Sequence, residues 1–158
     1  MVFDGSVCSN DDERFMIEAL REARAAADAG EVPVGAVVVR EGEIISRAHN
    51  LVETSKSSSA HAEMLALDAA ERYLGAKWLT GCTLYVTLEP CSMCAGAMVL
   101  ARIQRLVFGA SDPKAGACGS VSNIVSDSRL NHTVEITSGV LGEECGRMLK
   151  DFFRAKRG

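Results

Sequence analysis

The chain has 158 residues, which is enough for one domain with a full hydrophobic core. Hydrophobic residues make up 47% of it, which excludes a disordered chain, and no run approaches the roughly 18 apolar residues needed to span a membrane. A net charge of −4 argues against a protein that binds nucleic acid only through non-specific attraction to phosphate.

The N-terminal third predicts a helix followed by a β-hairpin. Residues 1–10 are expected to be frayed, and because they lack the features of a secretory signal we expect a cytoplasmic protein. Apolar residues recur at helical spacing over residues 11–30, whereas residues 34–40 form a short apolar run typical of a buried strand. A Glu-Gly turn then leads into a second strand over residues 43–49.

The rest of the chain alternates between helices and strands. Helices are predicted at 60–73, 91–101 and 142–156, and strands at 82–88, 105–109 and 133–137. Between them we expect a polar loop at 55–59, a glycine-rich loop at 111–120, and a turn or short helix at 121–127. This order predicts a single α/β domain over residues 1–158, with helices covering the faces of one five-stranded sheet.

Six cysteines are present, but only Cys91 and Cys94 form a CxxC pair. At the start of a predicted helix, both thiols can bind one ion from the same side of the first turn. The unpaired N–H groups and the dipole there also favour the thiolate form. With the imidazole of His61, two thiolates make a ligand set suited to zinc, and three protein ligands leave one tetrahedral position open, as in catalytic sites. The other four cysteines are expected to be small buried hydrophobic residues.

An acid, Glu63, follows His61 by two residues at the start of another predicted helix. Residues i and i+2 point about 200° apart in mid-helix, but in the first turn both can lean toward one point. Glu63 would then stay off the metal and exchange protons with metal-bound water, whose pKa zinc lowers to about 7. Taken alone, His61 could be a structural histidine, Glu63 a surface acid, and the CxxC pair half of a structural zinc site. Their combination favours the catalytic interpretation.

The His-Ala-Glu and Pro-Cys-x-x-Cys motifs resemble those of the cytidine deaminase-like superfamily of zinc enzymes. Further segments resemble the bacterial tRNA-specific adenosine deaminases. They are residues 31–36 (EVPVGA), 84–91 (LYVTLEPC), 93–98 (MCAGAM), 107–110 (VFGA) with Asp112, 116–120, 131–132, 134–137 (VEIT) and 151–154 (DFFR). The resemblance covers about residues 14–157 and implies the three-layer α/β/α fold of that superfamily, with a mixed five-stranded sheet covered by helices on both faces.

The resemblance also implies an activity. It implies a homodimer that binds a tRNA anticodon stem-loop and converts the wobble adenosine to inosine, with release of ammonia. One zinc ion per subunit, held by His61, Cys91 and Cys94, would supply hydroxide for attack on C6, with Glu63 as proton shuttle. Neither an organic cofactor nor a membrane partner is implied.

Three residues are implied to form the base pocket. Asn50 would hydrogen-bond the flipped purine, Val34 would line the pocket, and the backbone N–H of Ala62 would meet the ring. Asn50 could instead serve only a turn after the hairpin. Residues 57–59 are three serines where this family usually has Asp-Pro-Thr, which removes a rigid proline and an acid beside the metal-binding helix and bears on the shape of the substrate entrance.

Other residues are implied to contact flanking nucleotides. Asp112 would contact the nucleotide backbone next to the target, although it precedes a proline and could be a turn former. Phe153 and Arg154 on the C-terminal helix would touch flanking nucleotides, although Phe153 could pack in a dimer interface instead. The basic tail of this helix, which ends at residue 158, could equally be a solvated helix end that complements the helix dipole.

Two other functions fit the zinc motifs. A deaminase of a free base or nucleoside, such as guanine or cytosine, would use the same fold but would not need a basic, aromatic-bearing tail. A zinc-binding module without catalysis would need a fourth protein ligand, with Cys82 and Cys118 as candidates, and would leave Glu63 without a role. We therefore favour deamination of tRNA adenosine.

Overall fold

The structure is a computed structural model and describes residues 10–157. The segment 1–9 and the last residue lie outside the described range, and the fraying predicted for residues 1–10 falls in that segment except for Asn10, the first residue of α1. In chain order the elements are α1 (Asn10–Asp28), β1 (Gly35–Arg40), β2 (Glu43–His49), α2 (Val52–Ser55), α3 (Ala62–Leu74), β3 (Cys82–Leu88), α4 (Ser92–Leu100), β4 (Arg105–Ala110), β5 (Glu135–Thr137) and α5 (Gly142–Arg157).

The five strands form one mixed sheet in the order β2-β1-β3-β4-β5. Strand β1 pairs antiparallel with both β2 and β3, whereas β3, β4 and β5 run parallel to one another. The connection from β3 to β4 contains α4, as a parallel pair requires a crossover. The carboxyl ends of β3 and β4 therefore lie side by side, with Leu88 opposite Ala110.

Helices cover both faces of the sheet. Because side chains alternate along a strand, Val38 packs into one hydrophobic cluster and its neighbours Val37 and Val39 into the other. The first cluster contains buried apolar residues of α3 and α4, such as Leu67 and Met98, and the second contains Phe15, Met16 and Ala19 of α1 with Cys145 of α5. The predicted three-layer α/β/α arrangement with a mixed five-stranded sheet is confirmed.

A buried ion pair ties α1 to the sheet. The carboxylate of Asp12, which is 1% exposed, accepts two hydrogen bonds from the guanidinium of Arg105, each 2.8 Å long, and one from the hydroxyl of Tyr85. Arg105 also donates to the hydroxyl of Thr137. One network thus joins α1, β3, β4 and β5 on the face away from α3 and α4.

Most predicted boundaries lie within two residues of the observed ones, with one difference. The one-turn helix α2 was not predicted, because four residues are too few to show a helical period. The strand predicted at 133–137 is observed at Glu135–Thr137, and residues 121–127, predicted as a turn or a short helix, contain turns and bends. Among the helices of residues 10–157, none has the length and apolar character needed to cross a membrane.

Candidate active site

Two helix starts meet at the carboxyl end of the central strands. Strand β3 ends at Leu88, and three residues later Cys91 occupies the N-cap position of α4 in extended conformation. His61 occupies the N-cap position of α3, also in extended conformation. The prediction that both motifs open helices is thus confirmed, and the fold brings the three predicted metal ligands together.

The three ligand atoms are already spaced for a tetrahedral ion. The Nδ1 atom of His61 lies 3.6 Å from the Sγ atoms of both Cys91 and Cys94, and the two Sγ atoms are 3.8 Å apart. Zinc with bonds of about 2.3 Å to sulfur and about 2.1 Å to nitrogen would separate two tetrahedral sulfur ligands by about 3.8 Å and a sulfur and a nitrogen ligand by about 3.6 Å. No further histidine, cysteine or carboxylate of residues 10–157 joins this cluster, which leaves Cys82 and Cys118 outside it.

The surroundings of Cys94 act against its thiolate form. Burial raises the pKa of this thiol, and the nearby Glu63 and Cys91 raise it further. Burial therefore outweighs the helix-start effect that favours thiolate. A bound divalent cation would instead favour the thiolate, since a thiol that coordinates a metal is deprotonated. The donor set of one imidazole and two thiolates fits zinc.

Glu63 lies in the first turn of α3 and is only 4% exposed. Burial raises its pKa to about 7, against the opposing effects of its own backbone N–H and of Cys94. A carboxyl group with a pKa near neutrality can both accept and donate a proton at physiological pH. Its position beside the ligand cluster therefore suits a proton shuttle.

A cavity of about 290 Å³ opens onto the cluster. This volume is close to the lower limit of small-molecule sites, which is about 300 Å³. Four of the residues predicted at the site beside the metal ligands line it, namely Val34, Asn50, Glu63 and Asp112. A larger cleft of about 830 Å³ includes Arg102 and His132, but His61 and Cys91 do not line it.

Asn50 holds the start of α3. Its Oδ1 atom accepts the backbone N–H of Ala62 at 2.8 Å, and its own backbone N–H donates to the carbonyl of Val34. Asn50 thus joins the cavity wall at Val34 to the helix that carries Glu63. The N–H of Ala62, implied to meet the substrate ring, is engaged with Asn50 in this structure.

Asp112 forms a turn on the opposite wall. Its Oδ1 atom accepts the backbone N–H groups of Lys114 and Ala115, both at 3.1 Å. This is the turn-forming role that the following proline suggested. The residue nevertheless lines the cavity and is partly exposed, so the turn does not remove it from the site.

Sequence reasoning missed two buried carboxylates of the cavity wall, Glu31 and Glu89. Burial alone would raise the pKa of Glu89, but hydrogen bonds from Ser120, Asp112 and Cys118 outweigh it and lower the pKa. Hydrogen bonds from Thr54 and the Glu53 backbone do the same for Glu31. For Glu89 the only local signal is its place directly after the apolar strand β3, and Glu31 has no such signal.

The C-terminal helix lies apart from the cavity lining. Phe153 is 44% exposed and packs edge-on against Phe152. Arg154 and Arg157 are exposed and line a cleft of about 630 Å³ that also includes Lys114 of the Asp112 turn. Lys114, in the turn formed by Asp112, therefore lies in the same cleft as cations of the basic tail.

Comparison with known proteins is consistent with this geometry. The sequence profile of the MafB19-like deaminases matches residues 10–157. The chain is 58% identical to the tRNA-specific adenosine deaminase of Bacillus subtilis, over 92% of this chain and 91% of that protein. A solved structure from studies of A-to-I editing by tRNA deaminases at the wobble position is 43% identical, covers 86% of this chain and 99% of its own, and has a TM-score of 0.83.

A guanine deaminase structure from Bacillus subtilis is also similar, with 39% identity, a TM-score of 0.62, and coverage of 68% of this chain and 69% of that one. Both its identity and its coverage are lower than those of the tRNA-specific enzyme. From the profile match over nearly the whole described range and the 58% identity, the chain belongs to the MafB19-like deaminase family and, within it, to the tRNA-specific adenosine deaminases.

Proposed function

We propose that this chain deaminates adenosine to inosine at the wobble position of a tRNA anticodon, as a cytoplasmic enzyme with one zinc ion per subunit. The observation that carries the proposal is the convergence of His61, Cys91 and Glu63 on one small cavity. Its volume suits a single base, so the target nucleotide would leave its stack to enter. We propose that the whole chain forms this one deaminase domain.

The chemistry divides between the metal and Glu63. Zinc, when bound by His61, Cys91 and Cys94, supplies a Lewis acid that activates water at neutral pH. Hydrolysis replaces the C6 amino group of adenine by the water oxygen and releases ammonia. Glu63 accepts one proton of the water and donates it to a ring nitrogen, and then carries the second proton of the water to the leaving amine, so that ammonia departs and the ring keeps one added proton. Its raised pKa supports both halves of this transfer.

Asn50 is proposed to select a purine. Because its Oδ1 atom is engaged by Ala62, the amide Nδ2 is the group left to meet substrate, and Nδ2 is a donor. Adenine offers N7 as an acceptor, which a pyrimidine lacks. Val34 supplies an apolar wall. A direct contact from the Ala62 N–H to the ring would share or replace its bond to Asn50.

Asp112 and the C-terminal helix are proposed to bind the flanking nucleotides. A carboxylate repels phosphate and can only accept hydrogen bonds, so the ribose 2′-hydroxyl is the part of an RNA backbone that Asp112 can bind. The cations Lys114, Arg154 and Arg157 border the same wall and suit the phosphates. The exposed ring of Phe153 suits stacking on an unpaired base.

A homodimer is proposed through the face formed by α3 and α4. Leu100 is 79% exposed and Trp78 is 48% exposed, and both line a groove of about 390 Å³ between these helices. Large apolar side chains exposed together are typical of subunit interfaces. Sedimentation of the holoprotein should give a dimer, and the Leu100→Asp protein should sediment as a monomer.

A free-base deaminase is the second candidate, favoured by the likeness to guanine deaminase. The deciding measurement is inosine formation in an anticodon stem-loop with adenosine at the wobble position, with free adenosine, cytidine and guanine assayed in parallel. Inosine in the RNA, with the small molecules unchanged, is the expected result. Turnover of a free base with no change in the RNA would contradict the proposed substrate but would remain consistent with the proposed zinc mechanism.

A further inference from the structure

The buried carboxylate of Glu89 organises the loop over residues 111–120. It is 2% exposed and accepts four hydrogen bonds from three residues of this loop. The donors are the backbone N–H groups of Asp112 (2.9 Å), Cys118 (3.1 Å) and Ser120 (3.0 Å), and the Ser120 hydroxyl. One side chain thus gathers backbone from both ends of the loop.

This loop has no helix or extended strand of its own, so its shape depends on such contacts. It nevertheless forms one wall of the cavity, through Asp112 and Ala115. The cavity lining also contains Val34 and Asn50, which are joined by a backbone hydrogen bond, and the Asn50 side chain is bonded to the start of α3. The width of the cavity mouth therefore depends on where Glu89 holds the loop.

Glu89 also stands in the segment that delivers a metal ligand. It comes two residues before Cys91, and the backbone between them is bonded to the same loop. The N–H of Glu89 donates to the carbonyl of Ala110, and the N–H of Ala117 donates to the carbonyl of Pro90. The Glu89 side chain and the Pro90 carbonyl thus both accept hydrogen bonds from the loop within two residues of Cys91.

Gly116 provides the space for this arrangement. A β-carbon at that position would lie 2.3–2.5 Å from the carboxylate atoms of Glu89, a distance too short for any real contact. Any larger residue at position 116 would therefore displace the carboxylate without changing its chemistry. The observed position of the Glu89 carboxylate therefore requires glycine at position 116.

We propose that Glu89 is a positioning residue that fixes the loop 111–120 relative to Cys91 and so sets the affinity of the site for its nucleic-acid substrate. The identity of that substrate rests on the proposed function. Glu89 does not need to touch the reacting atoms for this role. Its removal should therefore weaken substrate binding much more than it slows the chemical step.

The Glu89→Gln protein tests the proposal with little change in shape. One of the two acceptor oxygens becomes an amide NH2 group. This group is a donor, so it cannot accept the N–H groups of the loop. We expect the KM for the stem-loop to rise on the order of tenfold, the equivalent of one lost hydrogen bond to a charged group, while kcat changes less than about threefold. Zinc content should equal that of the wild type, and Glu89→Asp should restore part of the affinity. Glu43→Gln, an exposed acid of β2, is the matched control.

Gly116→Ala provides an independent test, because it displaces the carboxylate and leaves it intact. It should raise KM in the same way, and the double variant with Glu89→Gln should be no worse than the single ones, since both disable the same contact. Gly146→Ala is its matched control, because a β-carbon there meets nothing within 4 Å.

Hydrogen exchange of the holoprotein tests the contact without any substrate. In Glu89→Gln the amides of Asp112, Cys118 and Ser120 should lose protection, whereas the amide of Ala117, which donates to Pro90, should keep it. This result would support the positioning role even if the wild type failed to act on RNA, which would count against the proposed function alone. The proposal would be overturned if neither hydrogen exchange nor KM changed in Glu89→Gln. It would also be overturned if kcat fell about tenfold while KM stayed constant.

Discussion

The side-chain oxygen of Asn50 accepts the backbone N–H of Ala62 at 2.8 Å, so the residue proposed to recognise the base also anchors the helix that carries Glu63. These two roles use different atoms of one amide. The Oδ1 atom serves the helix, and the Nδ2 atom is the donor proposed for the purine. Substitutions that keep one atom and remove the other can therefore separate them.

Asn50→Asp should keep the anchor and lose the recognition. A carboxylate can still accept the Ala62 N–H, but it has no donor for a purine acceptor. We expect the melting temperature to stay within about 3 °C of the wild type and kcat/KM for the stem-loop to fall on the order of a hundredfold. Asn50→Ala should lower both the melting temperature and kcat/KM, because the Ala62 N–H loses its hydrogen-bond partner as well.

Asn131→Asp serves as the control for added charge, since Asn131 is exposed and does not line the cavity. Its kinetics should match those of the wild type. If Asn50→Asp retained full activity on the stem-loop, Asn50 would be a helix anchor only, as its turn position after the hairpin first suggested.

Substitutions at the cluster should separate metal binding from proton transfer. Glu63→Gln should keep its zinc and its fold but lose about two to four orders of magnitude in kcat, the usual contribution of a general acid–base. Cys91→Ala should lose the metal, because a three-ligand site cannot spare one. Cys82→Ala is the matched control, since this thiol lies outside the cluster, and it should keep both metal and activity. Zinc is measured by atomic absorption.

Either of two results would contradict these roles. Zinc lost from Glu63→Gln would make Glu63 part of the ligand set. Full zinc occupancy in Cys91→Ala would mean that another residue supplies the third ligand.

Each half of the candidate metal cluster was predictable from sequence because its motif is local, and the expectation that both motifs begin helices at one end of the same sheet joined them across the 30 positions between His61 and Cys91. The CxxC spacing places two thiols on one helix turn, and His61 and Glu63 stand within three residues of each other. The edges of β2 and β3 were predicted at the observed residues, since apolar and β-branched runs end at turn residues there.

Glu31 and Glu89 were not predictable, because their partners are distant in sequence. Glu31 bonds to residues 22 and 23 positions away, and Glu89 to residues 23 to 31 positions away. No local pattern encodes such pairs. The helix α2 escaped prediction for the same reason, since two of its N–H groups are bound by Glu31 rather than by a cap of its own.

The basic tail should contribute measurable electrostatic contacts to RNA binding. Replacing Arg154 and Arg157 together with alanine should weaken stem-loop binding and reduce the slope of log K against log salt by about one to two units, the value for two phosphate contacts. Binding is measured by fluorescence anisotropy at several salt concentrations, with the zinc enzyme inactivated by Glu63→Gln. Arg21→Ala with Arg24→Ala, on the exposed side of α1, is the matched control. An unchanged slope would leave the tail as a solvated helix end.

The hydrogen bonds of Glu31 should make stability depend on pH. Its carboxylate, which is 1% exposed, accepts the N–H groups of Glu53 and Thr54 and the hydroxyl of Thr54. Burial alone would raise its pKa, but these bonds, with a charge interaction from His49, lower it below 4.5. A carboxyl with a lowered folded-state pKa stabilises the fold above its unfolded pKa, and this stabilisation is lost as pH falls through the folded value.

The difference in unfolding free energy between the wild type and Glu31→Gln should therefore be constant near neutral pH and shrink once the pH falls below about 4.5. Urea titrations across this range measure it, and loss of zinc in acid cancels because both proteins share the site. Glu43→Gln should differ from the wild type by the same small amount at every pH. A difference in unfolding free energy between the wild type and Glu31→Gln that stayed constant down to about pH 3 would contradict this expectation. The anionic form of Glu31 would then not be the form that stabilises the fold through its bonds to α2.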